Sequence, residues 1–207
     1  MYRYYSVEGK SINQDEFIEE YSKIYYYLNN YQTEKIIEEL ISNDKSKKPE
    51  DFISFLRWKV GDKSNGDRIV TQYGSIIESE PIRSLAKEVD ESWEKKTAKE
   101  LYEIIQGKQI SNVGAVYTLS LVFFITKGQE PIYDKFAEIA LNVILDEKHG
   151  FREPQKYIEL PQKDKVDDVM ERYEGYKRKL TSIFGDLWKK DRRVDCALWT
   201  YGHLFRG

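Results

Sequence analysis

The stretch "SNVGAVYTLSLVFFITKGQEPIYDKFA", Ser111 to Ala137, decides how the chain is read. It starts with a tight bend, Ser111-Asn112-Val113-Gly114, enters the most apolar segment of the protein from Ala115 to Thr126, and reaches a new helical pattern that opens on Asp134. Asn112 is one of the few non-glycine residues that accepts a left-handed backbone at little cost, and Gly114 lets another backbone come close. A bend of this kind at a helix N-terminus exposes successive N–H groups, which is a ready seat for a phosphate and needs no lysine. On the upstream side "TAKELYEIIQG" (Thr97 to Gly107) has helical spacing and closes on a glycine where helices commonly end. The segment from about 97 to 127 therefore reads as helix, hairpin, helix.

Composition narrows the chemistry. The 207 residues and 40% hydrophobic content suit a sizeable helical core. A single cysteine, Cys196, forbids an internal disulfide, and with only His149 and His203 beside it no cluster stands at metal-ligand spacing. Four-thiolate iron–sulfur chemistry is excluded, so oxygen and nitrogen groups must do the work and neither metal nor cofactor is expected. No run of eighteen apolar residues occurs, and "MYRYYSVEGKS" lacks the apolar centre and small-residue cleavage site of a secretory signal. The expectation is a cytoplasmic protein with no membrane partner. A net charge of −3 counts against a protein that coats nucleic acid without regard to sequence. The densest basic segments, "WKKDRR" (Trp188 to Arg193) and "GYKRK" (Gly175 to Lys179), read as solvated helix faces.

Helical spacing runs along most of the chain. "DEFIEEYSKIYYYLNNY" sets Phe17, Tyr21, Ile24, Tyr25 and Leu28 on one face, with Asp15 and Glu16 where a helix start favours negative charge. "QTEKIIEELISN" continues with Ile36, Ile37, Leu40 and Ile41, and "PEDFISFLRWKVG" starts on proline and two acids and stops at Gly61. "GDKSNGDR" reads as a loop. Helices are expected over "PIRSLAKEVDESWE", "YDKFAEIALNVIL", "VDDVMERYEGYKRKLTSIFGDLW" and "VDCALWTYGHLF", with a polar connector after Leu145. The fold class is all-α, one two-lobed helical domain over residues 1–207, with a short strand pair near "YRYYSVEG". Most of the 16 tyrosines fall at helical spacing with aliphatics and read as packing rather than as a base-stacking platform. Trp58 can be read either as core or as a residue facing DNA.

The pattern Ile-Ser-Asn-Val-Gly, an apolar helix, then a proline and an aspartate resembles the helix–hairpin–helix DNA glycosylases, whose hairpin is usually Leu-Pro-Gly-Val-Gly. Ser111 stands for the proline and Asn112 for the first glycine, while Val113 and Gly114 match. The resemblance implies that Ser111, Asn112, Val113 and Gly114 bind the DNA backbone and that Asp134, at the family's spacing, is catalytic. Independently of the resemblance, an anion at the start of "DKFAEIALNVIL" is favoured by the helix dipole, and facing a substrate it can stabilise an oxocarbenium-like charge or orient water. The same position is that of a plain N-cap. Family members that also cut the strand carry a lysine two residues after the final hairpin glycine. Here that residue is Val116, so the resemblance implies a monofunctional enzyme.

"DCALW" extends the likeness to the branch of the family that removes 8-oxoguanine, in which a helix near the C-terminus reads and stacks on the flipped base. Asp195 and Trp199 are four apart and share a helix face. The carboxylate suits the two N–H donors of a guanine-type edge and the indole offers a flat apolar surface. The alternative is a core tryptophan beside a surface aspartate paired with Arg192 or Arg193. The resemblance covers roughly Trp93 to Phe205 and implies base-excision repair of a damaged DNA duplex, with no protein partner evident. Two other readings stay open: a non-catalytic helix–hairpin–helix DNA-binding protein, and an all-helical protein-interaction domain.

Overall fold

The computed structural model describes residues 2–29, 31–42, 48–59, 80–90, 92–108, 110, 114–146 and 159–205. The loop expected at "GDKSNGDR", the stop at Gly61, most of the connector after Leu145 and the hairpin residues Ser111, Asn112 and Val113 lie outside the described residues. Among those described, the protein is almost wholly helical, with one antiparallel strand pair, and its contacts divide the chain into two compact units.

The first unit comprises residues 1–31, 133–159 and 172–207. Strands β1 (Tyr4–Tyr5) and β2 (Ser11–Ile12) pair in the register Tyr4 to Ile12 and Tyr5 to Ser11, as the sequence anticipates. Helix α1 (Gln14–Leu28) starts with a capping box: Asn13 Oδ1 accepts from Glu16 N–H at 3.0 Å and Glu16 Oε2 accepts from Asn13 N–H at 2.9 Å. It buries Phe17, Ile18, Tyr21, Ser22 and Tyr25. Leu28, assigned to that face by spacing, is 55% exposed instead, because the buried stripe ends with the helix.

The C-terminal helix of this unit, Arg193–His203, packs against α1 on one side and against the helix Lys135–Leu145 on another. Being covered twice, it buries Val194, Cys196, Ala197, Leu198 and Tyr201. Tyr201 meets Phe17 and Tyr21 edge-on, at ring separations of 5.1 and 5.0 Å. Such aromatic pairs add about 0.5–1.5 kcal/mol each beyond their burial.

The second unit comprises residues 32–132 and 160–171. It holds α2 (Tyr31–Ser42, from Gln32), α3 (Pro49–Lys59), α4 (Glu80–Glu88), a single 3-10 turn at Trp93–Lys95, α5 (Ala98–Gly107) and α6 (Ala115–Ile125). Ile36, expected on the buried face of α2, is 56% exposed, and Glu34 is buried in its place. The reason is tertiary: Glu34 Oε1 accepts the Trp58 indole N–H at 2.7 Å. The helix expected over "PIRSLAKEVDESWE" ends at Glu88, and Trp93 sits buried on the 3-10 turn.

Helix α6 explains its own composition. An apolar residue on every side means burial on every side, and Leu119, Leu121, Val122 and Phe124 have no exposed surface. Phe124 stacks on Phe55 at 4.5 Å and meets Phe52 edge-on at 5.1 Å. Its polar residues are satisfied locally, with Ser120 Oγ donating to Val116 O at 2.8 Å and Thr118 Oγ1 to Gly114 O at 3.2 Å. Helix α5 packs against α6 and starts on Thr97 with a capping box to Glu100.

The chain continues as α7 (Lys135–Leu145), α8 (Val166–Phe184, the part from Arg172 in the first unit), α9 (Leu187–Lys190) and α10 (Arg193–His203). No described helix is long and apolar enough to cross a membrane.

Candidate functional site

Asp134 is the N-cap of α7. Its backbone is extended (φ −140°, ψ 138°) and Oδ1 accepts the Phe136 N–H at 2.8 Å. The carboxylate is half-buried and sits where the free N–H groups and the dipole of α7 favour negative charge. The cap reading and the chemical reading thus share one geometry, since the capping residue keeps part of its surface.

Helix α10 reaches this point because of Gly202. A Cβ there would lie 1.9 Å from Phe136 O and 2.6 Å from Phe136 C, both backbone atoms, so only glycine lets α10 lie against the first turn of α7. That approach sets the His203 ring on Phe136, centroids 3.5 Å apart, and beside Trp199 at 3.9 Å. His203 Nδ1 is 2.7 Å from Trp199 O; a carbonyl only accepts, so Nδ1 carries the proton. Trp199 also meets Tyr25 edge-on at 5.2 Å and Phe136 at 6.2 Å. The indole is half-buried within an aromatic group that sequence reading did not assemble. His203, one turn beyond Trp199 on the same face, was the available signal.

Asp195 lies one turn before Trp199, and Arg192 Nη1 donates to its Oδ2 at 3.3 Å. This is the ion pair that the plainer alternative anticipates. The Asp195 side chain keeps 25% of its surface. Tyr176 of α8 is 1% exposed. Burial raises the Tyr176 hydroxyl well above its ordinary range, and the charges of Asp195, Asp134 and Glu138 push in the same direction, as does Tyr173.

Beneath Asp134 is a polar network that the sequence did not signal beyond the i, i+4 spacing of Asp134 and Glu138. Glu138, 2% exposed, accepts from the hydroxyl of Tyr133 and from Arg172 Nη2 at 3.0 Å, and lies 3.7 Å from Lys179 Nζ. Lys179 Nζ in turn donates to Asn142 Oδ1 at 2.8 Å. Burial works against the Arg172 charge, but Glu138 and Tyr133 outweigh it, so the guanidinium is held more firmly protonated than usual.

The basic segments are largely neutralised from within. Lys177 pairs with Glu174 (3.7 Å), Lys189 with Asp186 (2.8 Å) and Arg193 with Asp191 (2.7 Å). Exposed pairs of this sort are worth about 0–1 kcal/mol and exchange readily for another anion. No group of His, Cys, Asp and Glu among the described residues has the arrangement of a metal site.

No protein-family model, curated protein or solved structure matches the chain.

Of the residues singled out by sequence, Asp134, Asp195 and Trp199 belong to the first unit and Gly114 to the second. Gly114 is the N-cap of α6 with φ −81° and ψ 177°, a conformation open to any residue. Among the described residues no heavy atom lies within 4 Å of where its Cβ would be.

Proposed function

We propose that the chain is a DNA glycosylase that excises an oxidised purine of the 8-oxoguanine type in base-excision repair. The observation that carries the reading is the close approach of α10, which bears Asp195 and, one helical turn on, Trp199, to the first turn of α7, which Asp134 caps. In this reading the purine is turned out of the duplex and stacked on the Trp199 indole. Asp195 accepts the adjacent N–H donors of a guanine-type edge, exchanging part of its bond to Arg192 for them.

The bond that breaks is C1′–N9. Its electron pair leaves with the base, positive charge grows on the sugar, and the Asp134 carboxylate stabilises that charge, takes the proton from the water that adds to C1′ and gives it up to the departed purine anion. Val116 stands where an attacking amine would be needed, so the product is an abasic site in an unbroken strand. The hairpin from Ser111 through Asn112 and Val113 to Gly114 holds a backbone phosphate through its N–H groups. What supports that role is Gly114 itself, since neither its dihedral angles nor its described neighbours call for a glycine.

A second reading, a non-catalytic helix–hairpin–helix DNA-binding protein, is favoured by Val116 and by the engagement of Asp134 as a helix cap. A single-turnover assay separates the two. Excess protein is mixed with a labelled duplex bearing one 8-oxoguanine and quenched with hot alkali or with formamide alone. Strand scission after alkali only, lost in Asp134→Asn while duplex affinity is kept, is the expected result. Unchanged turnover in Asp134→Asn removes the mechanism, and no scission under either quench favours the binding protein.

A further inference from the structure

Asp134 is flanked in the chain by two side chains that meet each other. Tyr133 comes immediately before it and Glu138 lies one turn after it, and the Tyr133 hydroxyl donates to Glu138 Oε2. The same oxygen takes Arg172 Nη2 at 3.0 Å, so the tyrosine hydroxyl and the guanidinium meet at one carboxylate oxygen. Neither Tyr133 (0% exposed) nor Glu138 (2%) can touch a substrate. The ring of Tyr133 is further held edge-on by Tyr176 of α8 at 5.1 Å.

We infer that Tyr133, Glu138 and Arg172 form a brace that positions the Asp134 carboxylate, with Glu138 as its keystone. The physical case rests on what an N-cap needs. Residue 134 must stay extended while residue 135 onward is helical, and the side chain must hold one rotamer to bond the Phe136 N–H. A cap that is exposed and unsupported samples other rotamers. Here the residue before the cap and the residue in the first turn after it are bonded to each other, so the backbone on both sides is tied to one point. Arg172, carried by α8, ties that point to a second helix. Lys179, also on α8, adds a second cation at 3.7 Å, so that the buried carboxylate is compensated rather than isolated. A buried pair of this kind is weak evidence for stability, because well-packed apolar residues would serve the fold as well. Precision at the adjoining carboxylate is a role they would not supply.

The catalytic meaning of the brace rests on the glycosylase reading, but its existence is tested without turnover. The Phe136 amide is the reporter, since its hydrogen exchange opens when Asp134 lets go of it. Tyr133→Phe keeps every charge and removes only the hydroxyl, whereas removal of Glu138 alone would take the shared carboxylate from two half-buried cations, Arg172 and Lys179. The expected result is exchange at Phe136 about tenfold faster than in the wild type, with exchange at Ala140 and Leu141, deeper in α7, unchanged. Phe136 exchange equal to wild type, or a rise shared equally by Ala140 and Leu141, overturns the inference. The double variant Glu138→Gln/Arg172→Gln, which removes both charges of the pair, is expected to unfold at a urea midpoint close to that of wild type and still to show the fast Phe136 exchange. Recovery of slow exchange in that variant also overturns it. In an active preparation Tyr133→Phe lowers kcat about tenfold with KM unchanged. A wild type that excises no base, with the Phe136 amide still responding, strikes the glycosylase reading and leaves the brace.

Discussion

Gly202 is the residue on which the site can be broken with a single methyl group. In Gly202→Ala the added Cβ falls 1.9 Å from the Phe136 carbonyl oxygen, 2.6 Å from its carbon and 3.0 Å from its Cα. An ordinary contact between such atoms is about 3.5 Å, so α10 and the first turn of α7 must separate by roughly 1.5 Å. The obstacle is backbone, and no rotamer change relieves it. Overpacking that only side chains resist costs about 1–3 kcal/mol, and the loss here belongs at or above the top of that range, because the His203–Phe136 stack and the Trp199 contacts open with it. With roughly 2–4 °C lost per kcal/mol in a chain of this length, a fall of about 6–12 °C in Tm is expected. Differential scanning calorimetry and urea unfolding measure it directly. Gly114→Ala is the control: with φ −81° and no described atom within 4 Å, it should lose no more than about 1 kcal/mol. A Gly202→Ala protein as stable as wild type would refute the claim that α10 touches α7 through this glycine.

Asp134 is expected to separate cap from charge: Asp134→Ala loses about 1 kcal/mol in urea unfolding, whereas Asp134→Asn keeps the bond to Phe136 and stays within a few tenths of wild type. A greater loss in the Asn variant than in the Ala variant would contradict the cap. The Tyr201 hydroxyl is buried with no hydrogen-bond partner among the described residues, and burial raises its pKa. Tyr201→Phe should therefore be neutral or stabilise by about 1–2 kcal/mol, and a clear loss in midpoint would reveal a partner. Hydrogen bonds from Arg193 hold the Asp191 carboxyl below its usual range. Its folded pKa is thus lower than its unfolded one, so the pair stabilises the fold above about pH 4 and that contribution is lost as pH falls through the depressed value. Acid unfolding of Arg193→Gln should have a shallower dependence on pH below about pH 4, and a profile superimposable on wild type would deny the pair any role.

Much of the fold is legible in the sequence because helix limits are local. Asn13 with Glu16, Thr97 with Glu100 and the aspartate at 134 are signals within one turn, and each marks an observed helix start. The all-apolar character of Ala115–Ile125 announces burial from Thr118 onward for the same reason: one helix's surface is written in its own residues. Two kinds of error occur: helices expected to run through "PIRSLAKEVDESWE" and through "IFGDLW" end early, at Glu88 and Phe184, and some faces are covered less than expected. Spacing put Leu28 and Ile36 on buried faces, yet how far a face is covered depends on a neighbour that period alone does not name.

The site divides along the same line. The sequence by itself determined that a carboxylate opens α7, that another stands one turn before a tryptophan on the last helix, and that no lysine lies on α6. Only the tertiary structure decided that α10 lies against the first turn of α7 through Gly202, that Glu138 is buried against Arg172 and Lys179, and that Trp199 lies with Tyr25, Phe136 and His203. The physical reason is range. Caps and helix faces follow from bonds spanning three or four residues, whereas a buried charge finds its counter-ion, and one helix its glycine-wide approach to another, only when distant segments pack.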